Sequence, residues 1–180
     1  IEEFIEGTMI NCFYHNGKWK LATRSRIHAN CKFNQSAGKT FSEMFHEAMS
    51  LCNLCFNDLH KNYMYTFVLQ HPENRIVVEF LKPNIALVEV KEYNGSIMKI
   101  KDIHSHEFDY LRDIVMFPKI LHYYNSWDNL LQAMTQPNLH YTTLGCMIKC
   151  KKTGRRAKIR NPTYEKVRHL RGNNPKIQFQ

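Results

Sequence analysis

Apolar positions recur along this chain in two periods, and the switches between them mark the elements. Residues 8–15 (TMINCFYH) and 18–24 (KWKLATR) are strand-length runs flanking Asn16-Gly17, a dipeptide that supplies the positive φ angles of a tight hairpin turn. The period then lengthens. Phe41, Met44, Phe45, Ala48, Leu51, Cys52 and Cys55 share one helical face behind the capping-box pattern Thr40-Phe41-Ser42-Glu43, so a helix is predicted over about 41–58. Tyr63–Gln70, rich in aromatic and β-branched residues, predicts a strand. His71-Pro72-Glu73-Asn74 predicts a turn into the extended run Arg75–Leu81, and Ile85–Tyr93 is a further strand ending at the hairpin turn Asn94-Gly95. Residues 106–134 have a helical but less regular pattern, with Pro118 as a breaker and Ser126 as N-cap for Trp127–Met134. Strands over 140–151 and 155–160 flank Thr153-Gly154, and Pro162-Thr163 opens a last helix over about 164–171 that stops at Gly172. Hairpins and meanders with interspersed helices predict an α+β fold on an antiparallel sheet, in a single domain over residues 1–180.

Composition agrees with a globular chain: 43% hydrophobic and 23% charged residues exclude the disordered class. No apolar run approaches the roughly 18 residues of a membrane span, and none resembles a secretory core segment. A soluble protein is expected, cytoplasmic or carried in a virion rather than secreted, with no membrane partner. The chain begins at Ile1 directly before a motif, which leads us to expect further residues upstream.

Charge adds an asymmetry. The net +9 is concentrated in residues 147–176, which hold eleven bases (Lys149, Lys151, Lys152, Arg155, Arg156, Lys158, Arg160, Lys166, Arg168, Arg171 and Lys176) and one acid, Glu165. The other residues hold fourteen bases and fifteen acids, so they are nearly neutral. Such a block attracts polyanions by counterion release, and RNA or another polyanion is the expected partner. A solvated basic face is the plainer alternative.

Six cysteines without a signal peptide do not imply a disulfide framework. Cys52 and Cys55 have zinc-ligand spacing, but both fall within the predicted amphipathic helix, where buried thiols are common, and no metal site is expected. Asp102, His104, His106, Glu107 and Asp109 read as a polar loop before a helix.

Four segments occur in an informative order: Glu6-Gly7-Thr8, Ala22-Thr23-Arg24-Ser25, Tyr65–Leu69 running into Pro72-Glu73-Asn74-Arg75-Ile76-Val77, and Leu144-Gly145-Cys146-Met147-Ile148 followed by Lys158-Ile159-Arg160-Asn161-Pro162. This order resembles the covalent nucleotidyltransferases, in particular phage-type RNA ligases and the ligase-like proteins of large DNA viruses. The resemblance implies an antiparallel nucleotidyltransferase core like that of RNA and DNA ligases. In that family a lysine in a Lys-x-(Asp/Glu)-Gly motif attacks the α-phosphate of ATP. Acids hold Mg²⁺ and ribose, and lysines on the last strand neutralise phosphate charge.

Carried over residue by residue, the nucleophile position is Phe4, the acid of the third motif is Val68, and the acid of the fourth is Leu144. Glu6, Gly7, Arg24, Lys158 and Arg160 remain as remnants of the nucleotide pocket. The expectation is therefore a degenerate, non-catalytic ligase-like domain that needs no cofactor and binds RNA or nucleotide phosphates. Lys149, Lys151, Lys152, Arg155, Arg156, Lys166, Arg168 and Arg171 would make the nucleic-acid contacts. One alternative is a structural role, in which the basic face docks on an acidic protein partner or a capsid. Another is an active ligase using ATP and Mg²⁺, with Lys18 or Lys20 as a relocated nucleophile.

Overall fold

The hairpin turns organise the larger sheet. In the computed structural model, which describes residues 1–33, 38–95, 97–121, 124–150 and 153–171, a two-residue strand β1 (Glu2–Glu3) precedes β2 (Thr8–His15) and β3 (Lys18–Ala22). Asn16 and Gly17 join β2 to β3 at φ 49° and 77°. Helix α1 (Phe41–Cys52), β4 (Tyr63–Gln70), β5 (Asn84–Tyr93) and β6 (Met98–Lys101) follow, and the five-stranded sheet runs β3-β2-β4-β5-β6 with every pairing antiparallel. Alternation turns Ile10, Cys12, Leu21, Tyr65, Phe67 and Leu69 to one buried face. Thr66 faces Glu89 while Phe67 faces Leu87, so Val88 is a bulge. It resets the alternation and lets Ile85, Leu87 and Val90 all join the same core.

Helix α1 closes that face with Phe41, Met44, Phe45 and Ala48, and the Phe45 and Phe67 rings lie 5.6 Å apart. Both halves of the Thr40–Glu43 capping box form. At the other end Asn53 takes a left-handed conformation (φ 59°), and its amide donates to the carbonyls of Met49 and Ser50. The helix therefore stops short of the predicted 41–58, and Cys55 lies exposed outside it.

The chain folds into two compact units. The five-strand unit holds Gly7–Arg75 and Phe80–Phe117; a three-strand unit gathers Ile1–Glu6, Ile76–Glu79 and Pro118–Gln180. The short helix α2 (Asp109–Arg112) belongs to the former. The latter contains α3 (Trp127–Thr135), β7 (Gly145–Lys149), β8 (Arg156–Arg160) and α4 (Pro162–Arg171), with an antiparallel sheet in the order β1-β7-β8. The Ser126 hydroxyl caps α3, whose Leu130 and Met134 pack on Cys146 together with Ile148 and Ile159. Among the described residues no helix is long and apolar enough to cross a membrane.

Three expectations need correction. The 106–134 helix breaks after α2, because the Met116 amide and carbonyl bond to Ile85 and Leu87 beside β5. The Arg75–Leu81 run is irregular, since the Val77 and Val78 amides donate to the Glu6 carboxylate and not to a strand. Residues 140–144 turn before β7 begins, held by the side-chain amide of Asn161, which donates to the carbonyls of Leu139, His140 and Thr143. Gly172, predicted to end the last helix, lies outside the described residues.

Candidate nucleic-acid interface

Strand pairing sorts the basic residues of the three-strand unit. Glu2 faces Met147, which faces Lys158; Gly145 faces Arg160 and Lys149 faces Arg156. Side chains two residues apart on a strand share a face, so Lys149, Arg156, Lys158 and Arg160 stand together on one side of the sheet with Glu2 and Phe4. The opposite side carries Cys146, Ile148 and Ile159 against α3. The segment thus separates into an apolar face that holds the sheet to a helix and a face with four cations.

Lys149 and Arg160 are ion-paired internally. Lys149 Nζ lies 2.6 Å from Glu2, and Arg160 Nη1 donates to Glu165 Oε1 at 2.7 Å. Lys158 is exposed, with its ammonium 5.9 Å from the centre of the Phe4 ring. Arg155 and Lys166 are exposed, as is Arg168, which reaches Glu165 at 3.4 Å. Lys151, Lys152 and the side chain of Arg171 lie outside the described residues.

Phe4 and Leu144, where the resemblance led us to expect a nucleophile and an acid, are packed against apolar neighbours. Leu144 is buried in a cluster with Val77 and Tyr164, and Phe4 packs on the same cluster with Ile76 and Val167. Phe4 is held by its amide to the Gly145 carbonyl at 3.2 Å, so ring and cluster are fixed by the β1–β7 pairing. Glu6 is only 6% exposed, and its Oε1 accepts from the amides of Val77 (2.7 Å) and Val78 (3.0 Å). Burial raises the Tyr164 phenol above its ordinary range, with the Glu6 charge adding to the shift. Glu6 thus fastens residues 76–79 to the N-terminal segment of this unit.

Gly7, Arg24 and Val68 belong to the five-strand unit. Gly7 has φ 146°, and a Cβ there would sit 2.3 Å from the Leu69 carbonyl oxygen and 2.7 Å from Val68 Cγ1. Only glycine lets the chain pass this close to β4. Val68 is buried on the sheet face away from α1, opposite Met9 and Ala86. Half-buried Lys20 shares that face, two pairings along through Phe13 and Met64, while Arg24 is exposed in the bend after β3.

Sequence reasoning missed a network at the Pro-Glu-Asn-Arg turn. His71 is 2% exposed; its Nδ1 accepts from the Glu73 amide at 3.1 Å, which leaves Nε2 as the donor to Glu47 Oε2 at 2.9 Å. Lys39 bridges Glu47 (2.7 Å) and Glu73 (3.3 Å); its ammonium, with His71 adding, holds the Glu47 carboxyl below its ordinary range, and its backbone amide, with the ammonium adding, does the same to Glu73. Asn74, fully buried, exchanges hydrogen bonds with Thr8. The polar string therefore anchors a turn to a helix and a strand. The only available signal was its chemistry, four polar residues where a plain turn needs one or two. The Asp102–Asp109 loop behaves as a local polar cluster: His106 and Arg112 both bind Asp109, and Glu107 takes the Tyr63 hydroxyl and Lys101. Among the described residues no three His, Cys, Asp or Glu side chains converge as a metal ion would need.

No protein-family model matches the chain. Among curated proteins, an RNA ligase of Rhodothermus phage RM378 is 31% identical over an aligned length of 97, covering 49% of this chain and 22% of the ligase. The chain thus resembles a phage RNA ligase over about half its own length while spanning 22% of that protein's.

Proposed function

We propose that this chain is a ligase-like domain without lysyl-nucleotide chemistry, which binds RNA or nucleotide phosphates through the cationic sheet face of its three-strand unit. On this reading the α+β architecture is a degenerate nucleotidyltransferase core. The observation that carries it is the packing of Phe4 and Leu144 into one apolar cluster beside the exposed Lys158. A phosphoramidate forms only when an amine lone pair attacks phosphorus, and a phenyl ring offers none. Leucine and valine give a divalent cation and a ribose nothing to bind, so ATP and Mg²⁺ do not fit the residues present. What remains is positive charge on a flat strand surface, which suits a phosphate backbone.

Incubation with α-labelled ATP and Mg²⁺ is expected to leave the protein unlabelled. An acid-labile adenylate on any lysine, Lys20 included, overturns the non-catalytic half of the proposal. Fluorescence anisotropy with a labelled RNA strand tests the other half. Binding is expected to weaken steeply as salt rises, and affinity unchanged between low and high salt would refute it.

A further inference from the structure

The cationic face contains its own competitor. Glu165, the single acid of residues 147–176, lies in the first turn of α4, and two guanidiniums and an imidazole converge on it: Arg160 Nη1 at 2.7 Å, Arg168 Nη1 at 3.4 Å and His169 Nε2 at 3.9 Å. Arg168 and His169 are ordinary helical neighbours at i+3 and i+4. Arg160 is not. It reaches from β8, and its Nε is buried with no hydrogen-bond partner among the described residues. A guanidinium offers five donors in a planar fork that a phosphate can engage through two at once. Here the Glu165 carboxylate engages Arg160 through Nη1 alone, so the pair is monodentate.

We infer that Arg160, Arg168 and His169 form a phosphate subsite of the proposed RNA-binding face, and that Glu165 occupies it as an internal anion until a nucleic-acid phosphodiester displaces it. The inference rests on the function proposed above and names its regulation. A phosphodiester presents two non-bridging oxygens, enough to meet the two guanidiniums that Glu165 now holds, and its binding releases condensed counterions, which an internal carboxylate does not. Exchange of one anion for the other needs only a rotamer change at Glu165, whose side chain is 25% exposed. The wild-type face is thereby weakened, and its net attraction is smaller than its count of bases suggests.

The test is anisotropy with a labelled polyuridine strand across a salt series, using the full chain. Glu165→Gln is expected to bind about 5-fold more tightly, with the slope of log affinity against log salt steeper by about 0.7 for each cation released to the strand. Glu165→Asp keeps the charge and its favourable place at the helix N-terminus but shortens the reach to Arg160; it is expected to gain in the same direction. Asp128→Asn, which removes an exposed negative charge on α3, is expected to change affinity less than either. An Arg160→Gln background is expected to abolish most of the gain. If wild type binds and neither Glu165 variant binds more tightly, or Asp128→Asn gains as much, the subsite is refuted and the broader function stands. If wild type and both Glu165 variants all fail to bind, the function falls and the subsite with it. Circular dichroism on each variant confirms that α4 is retained, and Glu165→Asp carries the test if Glu165→Gln unfolds.

Discussion

The two units use the same kinds of residue for different ends. In the five-strand unit Tyr65, Phe67, Phe45 and Phe108 are fully buried in one continuous core, and the Lys39 bridge to Glu47 and Glu73 ties a turn to a helix. In the three-strand unit the described apolar residues form small clusters, two of them with three buried members each, and one sheet face carries four cations. One unit gains its stability from depth. The other has little depth and keeps a high density of cations, which repel each other unless acids such as Glu2 and Glu165 intervene. A single chain can thus place a deep core and a dense cationic surface in different parts of its fold.

Breaking the comparison starts with its strongest member. Phe67→Ala is expected to cost about 3–5 kcal/mol, read as a lowered midpoint of chemical denaturation together with lost amide-exchange protection in β4. Leu144→Ala removes one of three buried members from a small cluster, and a loss of about 2–3 kcal/mol is expected. Its lost protection should fall in β7 and β8 and leave β4 unchanged; equal losses in both sheets would show that the contrast between the units has no energetic meaning. Glu6→Gln replaces a charge-assisted acceptor of two amides with a neutral one, at an expected cost of about 1–2 kcal/mol and faster exchange at Val77 and Val78.

The smallest effect is a pH dependence of the five-strand unit. Lys39 holds Glu47 and Glu73 below the ordinary 4.5, so their contribution is fully present above that value and is lost as pH falls through the depressed values. The melting temperature should be flat near neutrality and decline on acidification. Glu47→Gln should shallow that decline, and an unaltered acid limb would remove the network from the list of stabilising features.

Local chemistry made much of the fold legible. The Asn-Gly turns, the Thr40–Glu43 cap, the Ser126 cap and the Tyr63–Gln70 strand all depend on neighbours within a few residues. What failed depended on distant partners. Nothing local to Val77 shows that its amide will donate to a carboxylate seventy-one positions earlier. Nothing near Met116 shows that it will bond beside β5. The left-handed Asn53 was readable in principle, since asparagine tolerates that conformation, but the hydrophobic period running on to Cys55 outweighed it. For the interface, the basic run was visible in composition. That four of its members share one sheet face depended on strand register, and the Arg160–Glu165 pair on a turn opened by Pro162.

Asn161 shows what one residue of the Lys-Ile-Arg-Asn-Pro string does for the fold. Fully buried, it points an amide nitrogen at three carbonyl oxygens, and its own oxygen receives the Thr163 amide. Exchanging that nitrogen for oxygen, as Asn161→Asp would, barely alters the outline yet turns lone pair against lone pair at every one of those carbonyls. The side chain's hydrogen-bonding capacity is thus taken up by the architecture, and likeness at this position speaks for shared folding and not for shared reactivity.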